Sequence, residues 1–182
     1  GTVIKNKCKT CGGDGVVKGD EVVEINIPAG VQDGMVLTVA GKGNAGKRNG
    51  YPGDIQVLIS EESNDTFERD GQNLYYNLVL DFATATLGGE VDVPTIEGKT
   101  TVKIEPGTQP GKQIRLRGKG LPAVKGYGYG KGDIICNVTV YVPKTLTKEE
   151  KELIKKLKDS ENFKADNATK KTLFDSLKNL FK

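Results

Sequence analysis

A long internal repeat governs what this chain can fold into. Residues 25–59 read INIPAGVQDGMVLTVAGKG, a glycine-rich loop, then GDIQVLI; residues 102–142 read VKIEPGTQPGKQIRLRGKG, a longer loop, then GDIICNVTVYV. Gly30 aligns with Gly107, Gly34 with Gly111, Leu37 with Ile114, Val39 with Leu116 and Gly41 with Gly118, all at a spacing of 77. Beyond the loop, Gly53, Asp54 and Ile55 meet Gly132, Asp133 and Ile134 at 79, so the two extra residues are confined to a loop, where length variation is tolerated. The period exceeds the roughly 20–50 residues of a solenoid unit and predicts two similar small domains in tandem.

The pattern inside each copy is that of strands. Val23, Ile25 and Ile27 alternate with polar residues, as do Met35, Leu37 and Val39, then Ile55, Val57 and Ile59; alternation at a period of two predicts half-buried strands. In the second copy Leu74, Tyr76, Leu78, Leu80 and Phe82 predict a long strand, and Val91 and Val93 another. Ile134, Cys136, Val138, Val140 and Val142 predict the last. A helical turn is expected over 83–87, ended by Gly88 and Gly89. The 74–98 segment has no counterpart ahead of Val22, so the chain is expected to begin inside its first domain, as the C-terminal part of a longer protein.

Glycine occurs 24 times but never after Gly132, which separates a turn-rich body from a lysine-rich tail. Thr147 and Glu150 form a capping-box pair ahead of Leu153, Ile154 and Leu157. Further on, Leu173, Phe174, Leu177, Leu180 and Phe181 fall on one helical face. That face suits docking on its own domain or on a partner subunit; with no tryptophan and no strong basic face, a membrane-surface helix fits less well.

Charge follows the same division. Residues 1–143 carry 16 Lys/Arg against 17 Asp/Glu, whereas 144–182 carry 11 against 7. A near-neutral body lacks the basic stripe that neutralises phosphates. There is no apolar run of about 20 residues for a membrane span. Three cysteines cannot all pair within one chain, which fits a reducing cytoplasm.

Chemistry is sparse. Histidine is absent, which removes Ser-His and Cys-His nucleophile pairs and every imidazole ligand. Gly41, Gly43 and Gly46 mimic a dinucleotide fingerprint, but glycines and a proline follow where a helix must start. Asp54 and Asp133 are equivalent copies after a glycine, predicting a structural turn rather than a catalytic pair. No enzymatic constellation remains. Cys8 and Cys11, followed by Gly12, Gly13 and Gly15, predict half of a structural zinc site, since four ligands are needed; a redox CxxC or a chance pair are the alternatives. Cys136 lies on an apolar strand face and reads as core. Phe67, inside NDTFERDG, is either a plug that packs its own loop or a surface contact.

These residues carry a resemblance. CKTCGGDG, INIPAG, NDTFERDGQNLYY, ATLGGEVDVPT, IRLRGKG and FDSLKNLF resemble the DnaJ family of J-domain co-chaperones, from the last cysteine repeat to the C-terminus. The resemblance implies a mainly β protein: residues 1–20 a remnant of the zinc-binding region, 21–70 an incomplete first β-sandwich, 71–145 a second, and 146–182 a helical dimerisation tail. It implies binding of unfolded or extended client polypeptides, which add as a strand at Val23, Ile25 and Phe67. Delivery to a DnaK-type chaperone, mainly through a J domain outside this chain, is implied as well. It also assigns Leu173, Phe174, Leu177, Leu180 and Phe181 to a homodimer contact. Cys8 and Cys11 become half a zinc site, expected vacant in this fragment, with zinc the cofactor of the full-length protein only. Neither nucleic acid nor membrane is an expected partner; a nucleic-acid-binding β module, through RLRGKG and Tyr127 and Tyr129, and a thiol oxidoreductase are the rival readings.

Overall fold

A hairpin of one design occurs twice. In the computed structural model, which describes residues 4–165 and 171, strands β1 (Val36–Val39) and β2 (Ile55–Leu58) pair antiparallel with Leu37 opposite Val57 and Val39 opposite Ile55. Strands β7 (Gln113–Leu116) and β8 (Ile134–Tyr141) pair with Ile114 opposite Cys136 and Leu116 opposite Ile134. Shifting the first register by 77 and 79 yields the second. The mouth of each loop is closed alike: Gly43 N–H donates to the Gly53 carbonyl and Gly120 N–H to the Gly132 carbonyl, both at 2.8 Å. The aspartate after each second glycine braces the turn, Asp54 accepting from Gly41 N–H and Asp133 from Gly118 N–H, both at 2.8 Å. Gly41 and Gly118 share φ +67°, a conformation that a side chain disfavours.

The chain divides into two units, Gly1–Asn64 with Pro122–Lys131, and Asp65–Leu121 with Gly132–Lys182. The tip of the second repeat's loop is thus grouped with the first unit. In the second unit, β3 (Glu68–Asp70), β4 (Asn73–Asp81), β8 and β7 form one sheet in the order β3-β4-β8-β7. The β4–β8 pair is parallel, with Leu74 opposite Ile134 and Leu78 opposite Val138. A helix α1 (Phe82–Leu87) follows β4. It is capped by Asp81, whose carboxylate accepts from Thr84 N–H at 2.7 Å and Thr84 hydroxyl at 2.6 Å. Both bonds favour the ionised form and hold the Asp81 carboxyl below its ordinary pKa. Gly88, at φ +79°, ends the helix where a Cβ would meet the Ile104 carbonyl.

Strands β5 (Gly89–Thr95) and β6 (Gly98–Ile104) make an antiparallel hairpin. Its inward side chains Val93, Val102 and Ile104 join Leu74, Leu78 and Leu80 of β4 and Ile134, Cys136 and Val138 of β8 in a single buried cluster. Two sheets therefore enclose one core, and full burial of each such aliphatic side chain stabilises by about 1.5–3 kcal/mol. After the core, α2 (Lys148–Lys158) opens with the expected capping box: Thr147 Oγ1 accepts from Glu150 N–H at 3.3 Å and Glu150 accepts from Thr147 N–H at 2.7 Å. Leu153, Ile154 and Leu157 on this helix are exposed, and beyond it Phe163 lies 6.2 Å from the Phe82 ring.

The mainly β class with a following helix is as the sequence predicts, but several details differ, Met35 and Ile59 lying just outside β1 and β2. Phe82 starts α1 instead of ending β4, and Val142 lies beyond β8. The first unit, among the described residues, holds a single two-stranded sheet rather than two facing sheets. Most tellingly, the segment expected as a strand through Val23, Ile25 and Ile27 pairs with no strand among the described residues. The repeat supplies the reason. Ile25 and Ile27 correspond to Val102 and Ile104 of β6, which is a strand because β5 lies beside it. Shifted back by 77, β5 would fall on residues 12–18, which are no copy of it: there Gly12, Gly13 and Gly15 take φ +62°, +100° and +76°. A glycine turn of that kind cannot present a ladder, and an extended backbone without a ladder is not a strand.

Candidate functional site

The 22–27 segment displays apolar side chains on the first unit. Val22 is 99% exposed and Ile27 61%, Ile25 is also exposed and Val23 is half-buried. Three apolar side chains displayed on a backbone that joins no ladder among the described residues leave both hydrophobic area and backbone N–H and C=O groups for another chain to use. The C-terminal end of the segment is held. Gly30, at φ +84°, packs so closely on the Pro122 backbone that a Cβ there would overlap its carbonyl group. The N-terminal side is tied by the exposed ion pair of Glu21 with Lys42 at 3.4 Å.

The sequence-predicted contacts are divided between the units. Val23 and Ile25 belong to the first; Phe67 belongs to the second, half-buried against its core with its ring 5.9 Å from that of Tyr76. Phe67 thus packs on its own unit, just ahead of the Glu68–Asp70 strand. Leu173, Phe174, Leu177, Leu180 and Phe181 lie outside the described residues.

Cys8 and Cys11 sit in a tight knuckle. Gly12 N–H donates to the Cys8 carbonyl at 2.9 Å and Asp14 N–H to the Cys11 carbonyl at 3.0 Å. The turn aims the N–H groups of Cys11 and Thr10 at the Cys8 sulfur, and these bonds lower its thiol to about 7. An accessible thiolate at neutral pH is what zinc ligation asks of cysteine. The sulfurs of Cys8 and Cys11 together fit one half of a tetrahedral site. No group of three or more potential ligands occurs among the described residues, and Asp14 is engaged by Lys47 at 2.7 Å, which holds its carboxyl low. Cys136 is the opposite case, fully buried, its thiol pushed up to about 11 by desolvation; it is core, as its strand position predicts.

Among the described residues β2 pairs only with β1, whereas β8, its copy, pairs with both β7 and β4. No helix among the described residues is long and apolar enough to cross a membrane.

The family model described as DnaJ C terminal domain matches residues 3–143. The chain is 56% identical over 176 residues to a chaperone protein DnaJ of Bacteroides fragilis, covering 97% of this chain and 44% of that protein. It is 55% identical over 175 residues to that of Bacteroides thetaiotaomicron and 45% identical over 171 residues to that of Porphyromonas gingivalis, in each case covering 44% of the relative. The chain therefore spans less than half the length of these relatives.

Proposed function

The chain belongs to the DnaJ C-terminal domain family, and from that membership we propose that it is the client-binding and self-associating part of a co-chaperone. Its work is to hold unfolded polypeptides for transfer to a DnaK-type chaperone, with no catalysis of its own. The observation that carries this reading is the exposed, unpaired apolar segment containing Val22, Val23, Ile25 and Ile27. A client strand laid beside it gains backbone hydrogen bonds without regard to sequence and buries an apolar side chain against Ile25 and Val23, which suits a binder of many clients.

In this reading Phe67 adds an aromatic contact to the client, Leu173 to Phe181 join two copies, and two linked sites raise avidity through effective concentration. Cys8 and Cys11 would provide two thiolates to zinc, whose contribution there is to fix the knuckle. The protein works in the cytoplasm.

Fluorescence anisotropy with a labelled, permanently unfolded polypeptide tests the reading. Changing Ile25 to Ser removes an apolar contact worth about 1–2 kcal/mol, so affinity is expected to fall about tenfold. Calorimetry confirms that the second unit still melts cooperatively. Undiminished affinity in Ile25→Ser and in Val23→Ser would remove this segment from the client site.

A further inference from the structure

We propose that Asp14 is a latch coupling closure of the knuckle of Cys8 and Cys11 to the conformation of the first repeat's loop at residues 46–51, so that gathering the two thiols sets how that loop is presented. The device goes beyond client binding and does not depend on it. All of its contacts lie within the first unit, between residues 8–15 and 46–51.

The loop is strained. Arg48 lies at φ +54°, ψ +47° and Asn49 at φ +65°, and among the described residues these are the two that carry a side chain at positive φ. Asparagine tolerates this region; arginine adopts it at a cost and stays there only where its surroundings impose it. The loop of the second repeat carries no such strain, since its positive φ values fall on Gly118, Gly126 and Gly130. The bend at Arg48 therefore calls for a restraint that the second loop does without.

The contacts identify that restraint. Arg48 N–H donates to the Asp14 carbonyl at 2.8 Å and Lys47 Nζ to the Asp14 carboxylate at 2.7 Å, so one residue grips two successive positions of the bend, from backbone and side chain together. An exposed ion pair alone contributes little; here it is joined to a backbone bond to the strained residue itself. Asp14 is in turn part of the knuckle, its N–H donating to the Cys11 carbonyl at 3.0 Å, while Gly12 N–H closes the same turn on the Cys8 carbonyl. On the far side Gly50 N–H donates to the Lys47 carbonyl at 3.0 Å, and Gly46 packs so tightly that a Cβ there would overlap the Gly50 and Tyr51 backbone. A chain of direct contacts thus runs from the knuckle to Tyr51, which is 97% exposed. Such coupling is reciprocal: closing the knuckle orders the loop, and loosening the loop weakens whatever closes the knuckle by the same factor.

The probe is phenylarsine oxide, which condenses with the two thiols to a cyclic dithioarsenite and one water; intact mass confirms a single adduct. Amide exchange is followed on the isotope-labelled intact chain at Gly50, whose bond lies inside the loop and touches neither cysteine. Gly120 N–H, at the mouth of the second loop, is the control, and protection of Ile59 N–H verifies that β1 and β2 stay paired in every variant. The adduct is expected to slow exchange at Gly50 by about two- to fivefold, the scale of an exposed ion pair, and to leave Gly120 unchanged. In Asp14→Ala and in Lys47→Ala that slowing should be lost, and affinity for the arsenical, read by competition with a soluble dithiol, should fall by the same factor. Arg48→Gly relieves the strain, so Gly50 should be protected before the arsenical is added and gain little from it. A confirmed adduct that leaves Gly50 unchanged, undiminished slowing in Asp14→Ala, equal slowing at Gly120, or Gly50 no better protected in Arg48→Gly than in the parent chain would overturn the latch.

Discussion

Replacing Gly132 by alanine and, separately, Gly53 by alanine places one methyl group at the same point of the two repeats. Neither glycine has the positive φ that would strain a side chain, so the comparison is purely steric. At Gly132 the new Cβ lands on the Gln72 carbonyl group and comes within 2.8 Å of Gln72 Cβ; at Gly53 its nearest neighbour is the Asn44 carbonyl oxygen at 4.0 Å. Gln72 cannot easily give way, since its carbonyl accepts from Leu121 N–H at 2.8 Å while Leu121 in turn accepts from Gly132 N–H at 2.9 Å. Overpacking of this sort costs about 1–3 kcal/mol. Against it stands a gain of about 0.4–1 kcal/mol from a less flexible unfolded chain. The net expectation is a loss of about 1–2 kcal/mol at Gly132 and a slight gain at Gly53. At roughly 4–8 °C per kcal/mol for a domain of this size, Gly132→Ala lowers the second unit's Tm by about 5–15 °C. The assay is thermal unfolding followed by the exposure of Cys136 to a thiol reagent in a Cys8→Ser, Cys11→Ser background, with calorimetry alongside. An unchanged Tm in Gly132→Ala, or an equal fall in Gly53→Ala, would refute the claim that the two hairpins differ by the chain that abuts β8.

The remaining expectations concern the site residues. Alkylation of Cys8 should rise through about pH 7 and level off above it, because its neighbours' N–H groups stabilise the thiolate, while Cys136 stays inert in the native state; peptide mapping after brief labelling decides, and equal labelling of the two sulfurs would be inconsistent with the knuckle. Phe67→Ala should lower the second unit's Tm by several degrees through loss of the Tyr76 contact, worth about 0.5–1.5 kcal/mol beyond its area, and also weaken client binding. If binding persists, the ring is a plug only. Ending the chain before Leu173, or changing Leu177 to Asp, should convert a dimer into monomers by sedimentation equilibrium; a persistent dimer would place the contact elsewhere.

How much of this was legible in the sequence depended on whether the information was local. The hairpin registers, the aspartate braces and the Thr147 cap each rest on residues within about one turn or loop of each other, and the repeat displays them in duplicate. Helix α1 and its Gly88 end were equally readable, for the same reason. The strand through Ile25 was misjudged because alternation states which face is apolar and says nothing of whether a neighbour exists. Parallel pairing of β4 with β8 was missed because the same alternation serves either direction. Phe67 was placed by its family motif; its packing on Tyr76 needed the turn at Gly71, at φ +59°, which folds Glu68–Asp70 back onto β4.

The parallel pairing also has a consequence for synthesis. β4 and β8 meet with Leu74 opposite Ile134, so β4 leaves the ribosome some 60 residues ahead of the strand that will cover it. At about 5–20 residues per second that is an interval of roughly 3–12 s, long against the ~1–10 μs in which a hairpin such as β5–β6 closes. Throughout it, Leu74, Leu78 and Leu80 are covered on one side at most. A nascent molecule of this kind therefore passes through the condition of an unfinished chain whose apolar strand waits for its neighbour.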